Sequence, residues 1–304
     1  MPTLNRKLLG AFKVYLLTQK RSSKNTVAAY SSDLGQLYSF LEAEEITWHP
    51  TADNLKAFIK NLRTERMISG RSLARKVCSI KMFFTYLAQH HDLEDTTQNL
   101  VLPKTDQRLP GLMSEANVAK LLNASTTDKT PAGIRNATML HLLYGTGLRV
   151  SELVNLKLEA LRLDERLITI VGKRDKGRMV PIHQEIATML KAYITGARKK
   201  LLKTFKATSD VLFPVHYANQ VKPMSRQAFW GLLKKLARGA LPEGQSVHPH
   251  MLRHSLATHL LRKGADLRSL QLLLGHETLA TVQVYTHLDT EDLRNLYDKK
   301  HPRS

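Results

Sequence analysis

The chain has 304 residues, of which 42% are hydrophobic, and this favours two globular domains over one. Its 46 Lys and Arg outnumber its 26 Asp and Glu, and the net charge of +20 predicts a polyanionic partner, in first place nucleic acid. A lone cysteine, Cys78, excludes an intramolecular disulfide and a cysteine-rich zinc site. No apolar run is long enough to span a bilayer, so we expect a soluble cytoplasmic protein without a membrane partner.

Apolar residues recur at three- and four-residue steps through the first hundred residues, which predicts a helical N-terminal domain. The predicted helices are LNRKLLGAFKVYLL, SKNTVAAYSSDLGQLYSFLEAEE, TADNLKAFIKNLRTE and SLARKVCSIKMFFTYLAQ. Lys13 interrupts the apolar run of the first segment, and no small-residue cleavage pattern follows, so it does not resemble a signal peptide. Ser23 or Asn25 is suited to cap the second helix.

A cluster of positive charge lies between Lys56 and Lys81, where the only acid is Glu65. Its eight members are Lys56, Lys60, Arg63, Arg66, Arg71, Arg75, Lys76 and Lys81. A solvated helix face would mix acids with bases, and half of these residues fit such a face. For Arg71, Arg75, Lys76 and Lys81 we predict DNA binding.

The helical pattern ends between Asp92 and Met113, where Pro103 and Pro110 interrupt a polar stretch that predicts an interdomain linker. Ser114 is then placed to cap the next helix. We therefore predict an N-terminal domain over 1–105 and a C-terminal domain over 106–304. Both carry a net positive charge, as expected of two domains that grip one duplex from opposite sides.

The second domain is predicted to be mainly helical with a small β-sheet. RLITIVG and RMVPI are β-branched runs separated by KRDKG, which indicates a β-hairpin, and VLFP is a candidate third strand. Helices resume at SRQAFWGLLKKLARGAL and continue to the end. The predicted fold class is therefore mainly α, with two domains.

The segment HPHMLRHSLATHLL contains four histidines around Arg253. His250 and His254 have the spacing of the zinc motif H-E-x-x-H, but no glutamate lies between them, and Arg253 on the same face would repel a metal ion. We therefore predict no metal and no cofactor. His250 and Arg253, three residues apart, instead present cationic donors to an anion.

The apolar members of the same segment indicate how its helix packs. Leu252, Leu256 and Leu260 recur every four residues and predict the buried stripe, with His250 and Arg253 on a face away from it. His254 and His259 are predicted to be structural.

Two further segments aim polar residues at the same anion. YGTGLRVSELVNL places Arg149 just after a glycine turn, and LLGHETLATVQVYTHL places Tyr285 nine residues after His276. In order along the chain, YGTGLRVSEL, VGKRDKGRMVPI, HPHMLRHSLATHLL and LLGHETLATVQVYTHL resemble the tyrosine recombinase (phage integrase) family. The linker and the tail YDKKHPR resemble its Xer branch, and the resemblance covers nearly the whole chain. It implies an N-terminal SAM-like core-binding domain and a C-terminal catalytic domain.

The resemblance also implies a catalytic site. Its members are Arg149, Lys173, His250, Arg253, His276 and Tyr285. Arg174 stands where the family often has glycine, so Lys176 remains the alternative to Lys173 as the acid of the hairpin. Leu256 and Val282 replace a common phenylalanine and threonine without affecting the chemistry.

The implied function is site-specific recombination of duplex DNA through a 3′-phosphotyrosine intermediate, which resolves chromosome or plasmid dimers at cell division. The implied assembly is a homo- or heterotetramer with a second Xer-type recombinase, and the implied activator is a DNA translocase. The alternatives are a mobile-element integrase, a type IB-like topoisomerase and an inactive DNA-binding accessory protein. VHPHMLRHS resembles XerC-like members, whereas YGTGLRVSELV and GADLRSLQLLLGH resemble XerD-like members.

Overall fold

The computed structural model describes residues 2–46, 50–101, 111–171 and 177–274. The chain divides into two compact units, Met1–Leu109 and Pro110–Ser304. Four residues of the predicted site or its alternative lie outside the described residues: Lys173, Lys176, His276 and Tyr285. The last part of the chain, over which the helical prediction continues to the end, also lies outside them.

The first unit contains four described helices, as its sequence periodicity predicts. They are α1 (Pro2–Thr18), α2 (Lys24–Ala43), α3 (Ala52–Thr64) and α4 (Gly70–His91). Ser23, rather than Asn25, caps α2, and its side chain accepts a hydrogen bond from the backbone N–H of Thr26. Helix α2 packs against the other three, and α3 also packs against α4. Leucine and phenylalanine side chains such as Leu34, Phe58 and Phe83 fill the core between them.

The second unit combines helices with two small antiparallel sheets. Its helices are α5 (Glu115–Ser125), α6 (Pro131–Thr146), α7 (Val150–Val154), α8 (Gln184–Ala192), α9 (Arg198–Phe205), α10 (Arg226–Ala240), α11 (Pro249–Arg262) and α12 (Leu267–Leu274). A 3₁₀ turn covers Leu158–Ala160, and the π-helical segment Tyr193–Ala197 joins α8 to α9. Ser114 caps α5 as predicted.

Helix α6 forms the centre of this unit. From Ala137 to Thr146 every residue is buried, because α5, α8, α9 and α11 pack around it. Thr130 caps the helix and Pro131 occupies its first turn, two features typical of a helix start. A helix that is apolar around most of its circumference belongs in the interior. The end of α6 leads into the turn that contains Gly147 and Arg149.

The sheets confirm the predicted hairpin and correct the third strand. The first sheet has the order β1 (Leu161–Arg162), β2 (Leu167–Val171), β3 (Gly177–Pro181), and β2 pairs with β3 so that Ile168 faces Val180. The strand predicted over VLFP instead begins at the last residue of that segment. It is β4 (Pro214–Tyr217), which pairs with β5 (Gln220–Pro223) in a separate sheet. Val211 forms only an isolated bridge, to Lys157.

In the described parts of the chain, none of the helices combines the length and the apolar character needed to cross a bilayer.

Candidate active site

The turn after α6 places Arg149 at the start of α7. Gly147 ends α6 in the left-handed conformation, with φ of 62°, and its N–H donates to the Leu143 carbonyl. A Cβ at Gly147 would lie 2.6 Å from a methyl carbon of Leu274, so a larger residue would both strain the backbone and collide with α12. Arg149 follows two residues later as the N-cap of α7. The sequence pattern thus fixes Arg149 on a tight, buried turn.

The carboxylate of Glu152 holds Arg149 in two ways. Its Oε2 accepts from the backbone N–H of Arg149 at 2.8 Å, and its Oε1 accepts from Nη1 of the Arg149 side chain at 3.0 Å. An acidic residue in the first turn of a helix satisfies an exposed N–H and complements the helix dipole. The Arg149 side chain nevertheless remains 39% exposed.

Arg178 of β3 binds the same carboxylate. Its Nη1 donates to Oε1 of Glu152 at 2.9 Å and its Nη2 donates to Oε2 at 2.8 Å, a bidentate pair. Burial alone would raise the pKa of the Glu152 carboxyl, but the hydrogen bonds from Arg178 and from the Arg149 backbone together lower that pKa below its usual range. Glu152 is therefore ionised and shared by two arginines.

The structure corrects the predicted placement of Arg253 on α11. It was expected on a face away from the leucines, but it is buried, and its guanidinium donates to the backbone carbonyls of Gly147 and Leu274. Leu252, Leu256 and Leu260 are fully buried as predicted. An arginine occurs in such a place because backbone carbonyls replace the water that it loses.

The electrostatics of the site favour an anion. Burial, and then the positive charge of nearby Arg149, lower the pKa of Arg253 to about 10, while Glu152 opposes this shift and Arg178 adds to it. Arg253 remains protonated at neutral pH. Arg149, Arg178 and Arg253 thus lie close enough to interact, with Glu152 as the one carboxylate among these four side chains, which leaves an excess of positive charge.

The first turn of α11 presents His250 to solvent. His248 caps the helix, and its Nδ1 accepts from the backbone N–H of Met251 at 3.0 Å. Burial, and then the charge of His250, lower the pKa of His248. His250 itself is exposed in the same first turn, on the helix that carries Arg253.

The other two histidines of this segment differ from each other. His259 is buried and hydrogen-bonded at both ring nitrogens, at 2.9 Å to the hydroxyl of Tyr144 and at 2.9 Å to the carbonyl oxygen of Met113. A carbonyl only accepts, so Nε2 carries the proton and Nδ1 accepts from Tyr144. Burial lowers the pKa of His259. His259 is thus structural as predicted, whereas His254 is exposed on the helix surface.

One residue of the predicted DNA-binding set points into the protein. Lys76 is buried, and its ammonium group lies 2.8 Å from Oδ1 of the buried Asp33 and 2.9 Å from Oε1 of Gln36. Its prediction as a DNA contact was wrong, because its charge is neutralised inside the four-helix core. Arg75 also pairs with Asp33 but remains 43% exposed. Arg71 is exposed and Lys81 half-buried.

Within the described residues, Arg149 and Arg253 lie around the Gly147 turn, and His250 lies exposed in the first turn of α11, three residues before Arg253. Sequence reasoning missed Glu152 and Arg178. Glu152 had a detectable signal, since it lies three residues after Arg149 in the first turn of a helix. Arg178 had none, because its partner is 26 residues away along the chain. Within the described ranges, no three His, Cys, Asp or Glu side chains group as metal ligands.

Comparisons of the sequence agree with this architecture. Residues 112–292 match the phage integrase family, and residues 9–91 match the phage integrase N-terminal SAM-like domain. The chain is 38% identical to the tyrosine recombinase XerD of Listeria innocua, over 98% of this chain and 99% of that protein. It is 39% identical to the tyrosine recombinase XerD of Yersinia pestis, over 98% of both chains.

Solved structures share the fold. The site-specific recombinase XerH in a post-cleavage complex with its palindromic difH substrate has a TM-score of 0.67 and 22% identity, and the match covers 91% of this chain and 80% of XerH. The Tn1549 transposon integrase bound to transposon right end DNA has a TM-score of 0.65 and 18% identity, with coverage of 94% and 97%. The family match and the XerD relatives show that the chain belongs to the phage integrase family, in the Xer branch of its tyrosine site-specific recombinases.

Proposed function

We propose that this recombinase cuts and rejoins duplex DNA through a 3′-phosphotyrosine intermediate on Tyr285. The phenolic oxygen of Tyr285 attacks the scissile phosphorus, a new P–O bond forms, and the bond to the 5′-oxygen breaks. The phosphodiester energy is retained in the covalent intermediate, so rejoining requires no nucleotide hydrolysis. The reaction requires fixed positive charge where the pentacoordinate phosphorus gains negative charge.

The observation that carries this proposal is the placement of Arg149 and Arg253 around one glycine turn. Arg253 donates to the carbonyl of Gly147, and Arg149 follows that glycine by two residues. Each guanidinium can offer paired donors to the non-bridging oxygens of a phosphate. Donors that bind the transition state more strongly than the ground state raise the rate, and losing one such set costs about 3–4 kcal/mol.

The remaining roles follow from the protons that must move. A tyrosine with a pKa of about 10 needs an acceptor for its proton, and we assign this role to His250, which is exposed at the start of α11. Lys173, or Lys176 if the hairpin register is shifted, protonates the leaving 5′-oxygen. His276 donates a hydrogen bond to the scissile phosphate. These steps use neither a metal nor an organic cofactor.

A covalent-trapping experiment tests this assignment. Genomic fragments retained by the protein supply its binding site, and a duplex of that site nicked near the cleavage position traps the covalent intermediate. In EDTA, the protein should form an adduct at the 3′ side of the break, and Tyr285→Phe should form none while binding the site within a few-fold of the unchanged chain. An adduct in Tyr285→Phe would reject the nucleophile, and a magnesium requirement would reject the mechanism.

We further propose that strand exchange takes place in a tetramer, of this chain alone or with a second Xer-type recombinase. The segment DTEDLRNLYDKKHPRS is predicted to form a helix with Leu293, Leu296 and Tyr297 on one stripe, and we assign it to contacts with a neighbouring protomer. Truncation after Leu288 should preserve binding of one protomer to a half-site and abolish cooperative binding of two. Full recombination by the truncated chain would contradict this assignment.

The cellular role that fits an Xer recombinase is the resolution of chromosome or plasmid dimers at cell division, with a DNA translocase as an activator. A plasmid with two directly repeated copies of the selected site should be resolved into two circles when the complete set of recombinases is supplied. Relaxation of supercoils without exchange would instead indicate a topoisomerase. Insertion of a mobile element would indicate an integrase, and site binding without an adduct would indicate an accessory protein.

For the N-terminal unit we propose DNA contacts through Arg71, Arg75 and Lys81. Arg71 is exposed on the first turn of α4, and Arg75 follows one turn later with part of its side chain exposed. Basic side chains on one helix are suited to contact phosphates, which contribute affinity and make it salt-dependent.

A further inference from the structure

We propose that Arg178 is a positioning residue that holds Arg149 through their shared partner, the carboxylate of Glu152. This rests on the proposed role of Arg149 in the cleavage site. Arg178 belongs to β3, whereas Arg149 and Glu152 belong to the start of α7. The contact therefore links the base of the β2–β3 hairpin, which carries Lys173 and Lys176 in its connecting segment, to the helix that presents Arg149.

The geometry indicates that Arg178 does not bind a phosphate directly. Both of its terminal nitrogens donate to Glu152, at 2.9 Å and 2.8 Å, and its side chain is only 18% exposed. Arg149 uses one terminal nitrogen on Glu152 and is 39% exposed. Arg149 is thus the one of the two whose guanidinium is placed to meet DNA, and Arg178 acts on the carboxylate beneath it.

This arrangement allows Arg149 to give up its side-chain contact with Glu152 while the carboxylate keeps its other donors. When the Arg149 guanidinium turns from Glu152 to a phosphate, each oxygen of Glu152 still accepts from Arg178. Oε2 also keeps the backbone N–H of Arg149, so the start of α7 remains capped. Without Arg178, the same movement would leave the buried carboxylate of Glu152 with one hydrogen bond, from the backbone N–H of Arg149, and with no paired positive charge. A buried charge in that state is strongly unfavourable. The bidentate pair therefore maintains the anchor while Arg149 binds its target.

The charges that face Glu152 come from three elements of the described structure. They are Arg149 on α7 itself, Arg178 on β3, and Arg253 on α11, whose pKa responds to Glu152. Burial raises the pKa of Glu152, and Arg178 supplies the first of the interactions that oppose it. Removal of Arg178 should therefore raise the pKa of Glu152, and protonation of Glu152 as the pH falls would release Arg149 from its anchor.

The test compares Arg178→Met and Arg178→Lys with the unchanged chain and with Arg162→Met. Arg162 lies in the same sheet in an exposed ion pair with Glu165, at 3.6 Å, and provides the matched control. The covalent-adduct rate on the nicked duplex is measured from pH 5 to 8, together with half-site affinity and urea unfolding.

Arg178→Met should lower the adduct rate at pH 7 by roughly ten- to a hundredfold, the range seen when the supporting partners of metal-site ligands are removed. Its rate should fall further toward acid pH than that of the unchanged chain, while half-site affinity changes by less than about threefold because many phosphates contribute to it. Arg178→Lys keeps the charge but loses the paired donors, so it should recover part of the rate. Arg162→Met should match the unchanged chain.

Three outcomes would overturn the inference. The first is an Arg178→Met rate and pH profile equal to those of the unchanged chain, and the second is a loss of rate that only parallels a loss of folded protein. The third outcome applies if Arg178→Met does not fold, in which case Arg178→Lys is the deciding variant. A full cleavage rate in Arg178→Lys would then contradict the inference. Absence of an adduct with the unchanged chain would contradict the proposed function and not the role of Arg178.

Discussion

The ammonium group of Lys76 on α4 lies 2.8 Å from Oδ1 of Asp33 on α2, and both side chains are buried. Ser79 also donates to Asp33, and Gln36 accepts from Lys76, so the pair forms part of a buried polar network. The network joins two helices of the N-terminal unit. Its contribution is therefore to stability and to helix register, in a stretch of sequence whose charge suggests DNA binding.

We predict that Lys76→Met destabilises the N-terminal unit without changing the salt dependence of DNA binding by the folded protein. Removing one member of a buried ion pair leaves a buried charge, and we expect a loss of about 3 kcal/mol, the low end of the usual range, because Arg75 remains beside Asp33. Urea unfolding of the full chain measures this loss. The matched variant Arg71→Gln should unfold normally and reduce the slope of log affinity against log salt by about 0.9. The opposite pattern in the two variants would restore Lys76 as a DNA contact.

Arg149→Ala should separate catalysis from binding. We expect the rate of covalent-adduct formation to fall by roughly 10²–10³, the effect of removing one donor set from a developing oxyanion. Site affinity should change only a few-fold, since one phosphate contact among many is lost. Gel-shift titration and single-turnover cleavage on the same duplex measure both quantities. A near-normal cleavage rate would remove Arg149 from the site.

The buried His259 predicts a loss of stability in acid. Burial lowers the pKa of His259 in the folded state, so below a pH of about 6.5 the unfolded chain binds the proton more readily and folding becomes less favourable. The slope from this one group cannot exceed about 1.4 kcal/mol per pH unit. His259→Gln, which can still donate to Met113 and accept from Tyr144, should reduce the loss between pH 7 and 5. His254→Gln is the exposed control, and equal pH profiles for both variants would contradict the assignment.

Gly147→Ala should distort the site from two residues before Arg149. The left-handed backbone and the 2.6 Å approach to Leu274 predict a destabilisation of about 1–3 kcal/mol. Because Arg253 donates to the Gly147 carbonyl, cleavage should fall more than the folded fraction does. Gly231→Ala, in α10 with open space around it, should be neutral or stabilising by up to about 1 kcal/mol. Normal activity and stability in Gly147→Ala would show that the turn tolerates a side chain.

Periodicity predicted most of the helices because amphipathic faces repeat locally. The cap of α5 at Ser114 was predicted because a serine before a helix accepts a hydrogen bond from its first turn, which is also a local effect. The strands were harder to predict. β1 has only two residues, too short for a pattern, and β5 contains a lysine and ends in a proline, which weaken its strand signal. Such strands form because a neighbouring strand supplies hydrogen bonds, and no local preference reveals that neighbour.

The errors in side-chain placement have a related cause. Lys76 occupies the stripe that Leu73, Val77 and Ile80 define, so its spacing indicated burial even though its charge indicated the surface. Arg253 was assigned away from the leucines, yet the backbone carbonyls of Gly147, just after α6, and of Leu274 in α12 allow it to be buried. In both cases the decisive partner is remote in sequence. A charged residue at a position where the helix pattern is apolar therefore predicts a buried polar partner. The sequence does not identify that partner, because it lies far away along the chain.

Helix α11 also determines how a mechanical load would enter the second unit. Met113 is buried, and α11 holds both of its backbone polar groups: Ser255 accepts from its N–H at 2.9 Å, and His259 donates to its carbonyl at 2.9 Å. These two residues are one helical turn apart and on either side of Leu256. Tension applied to the chain before Met113 would therefore be borne by the helix that carries Arg253, and would not first reach the two sheets.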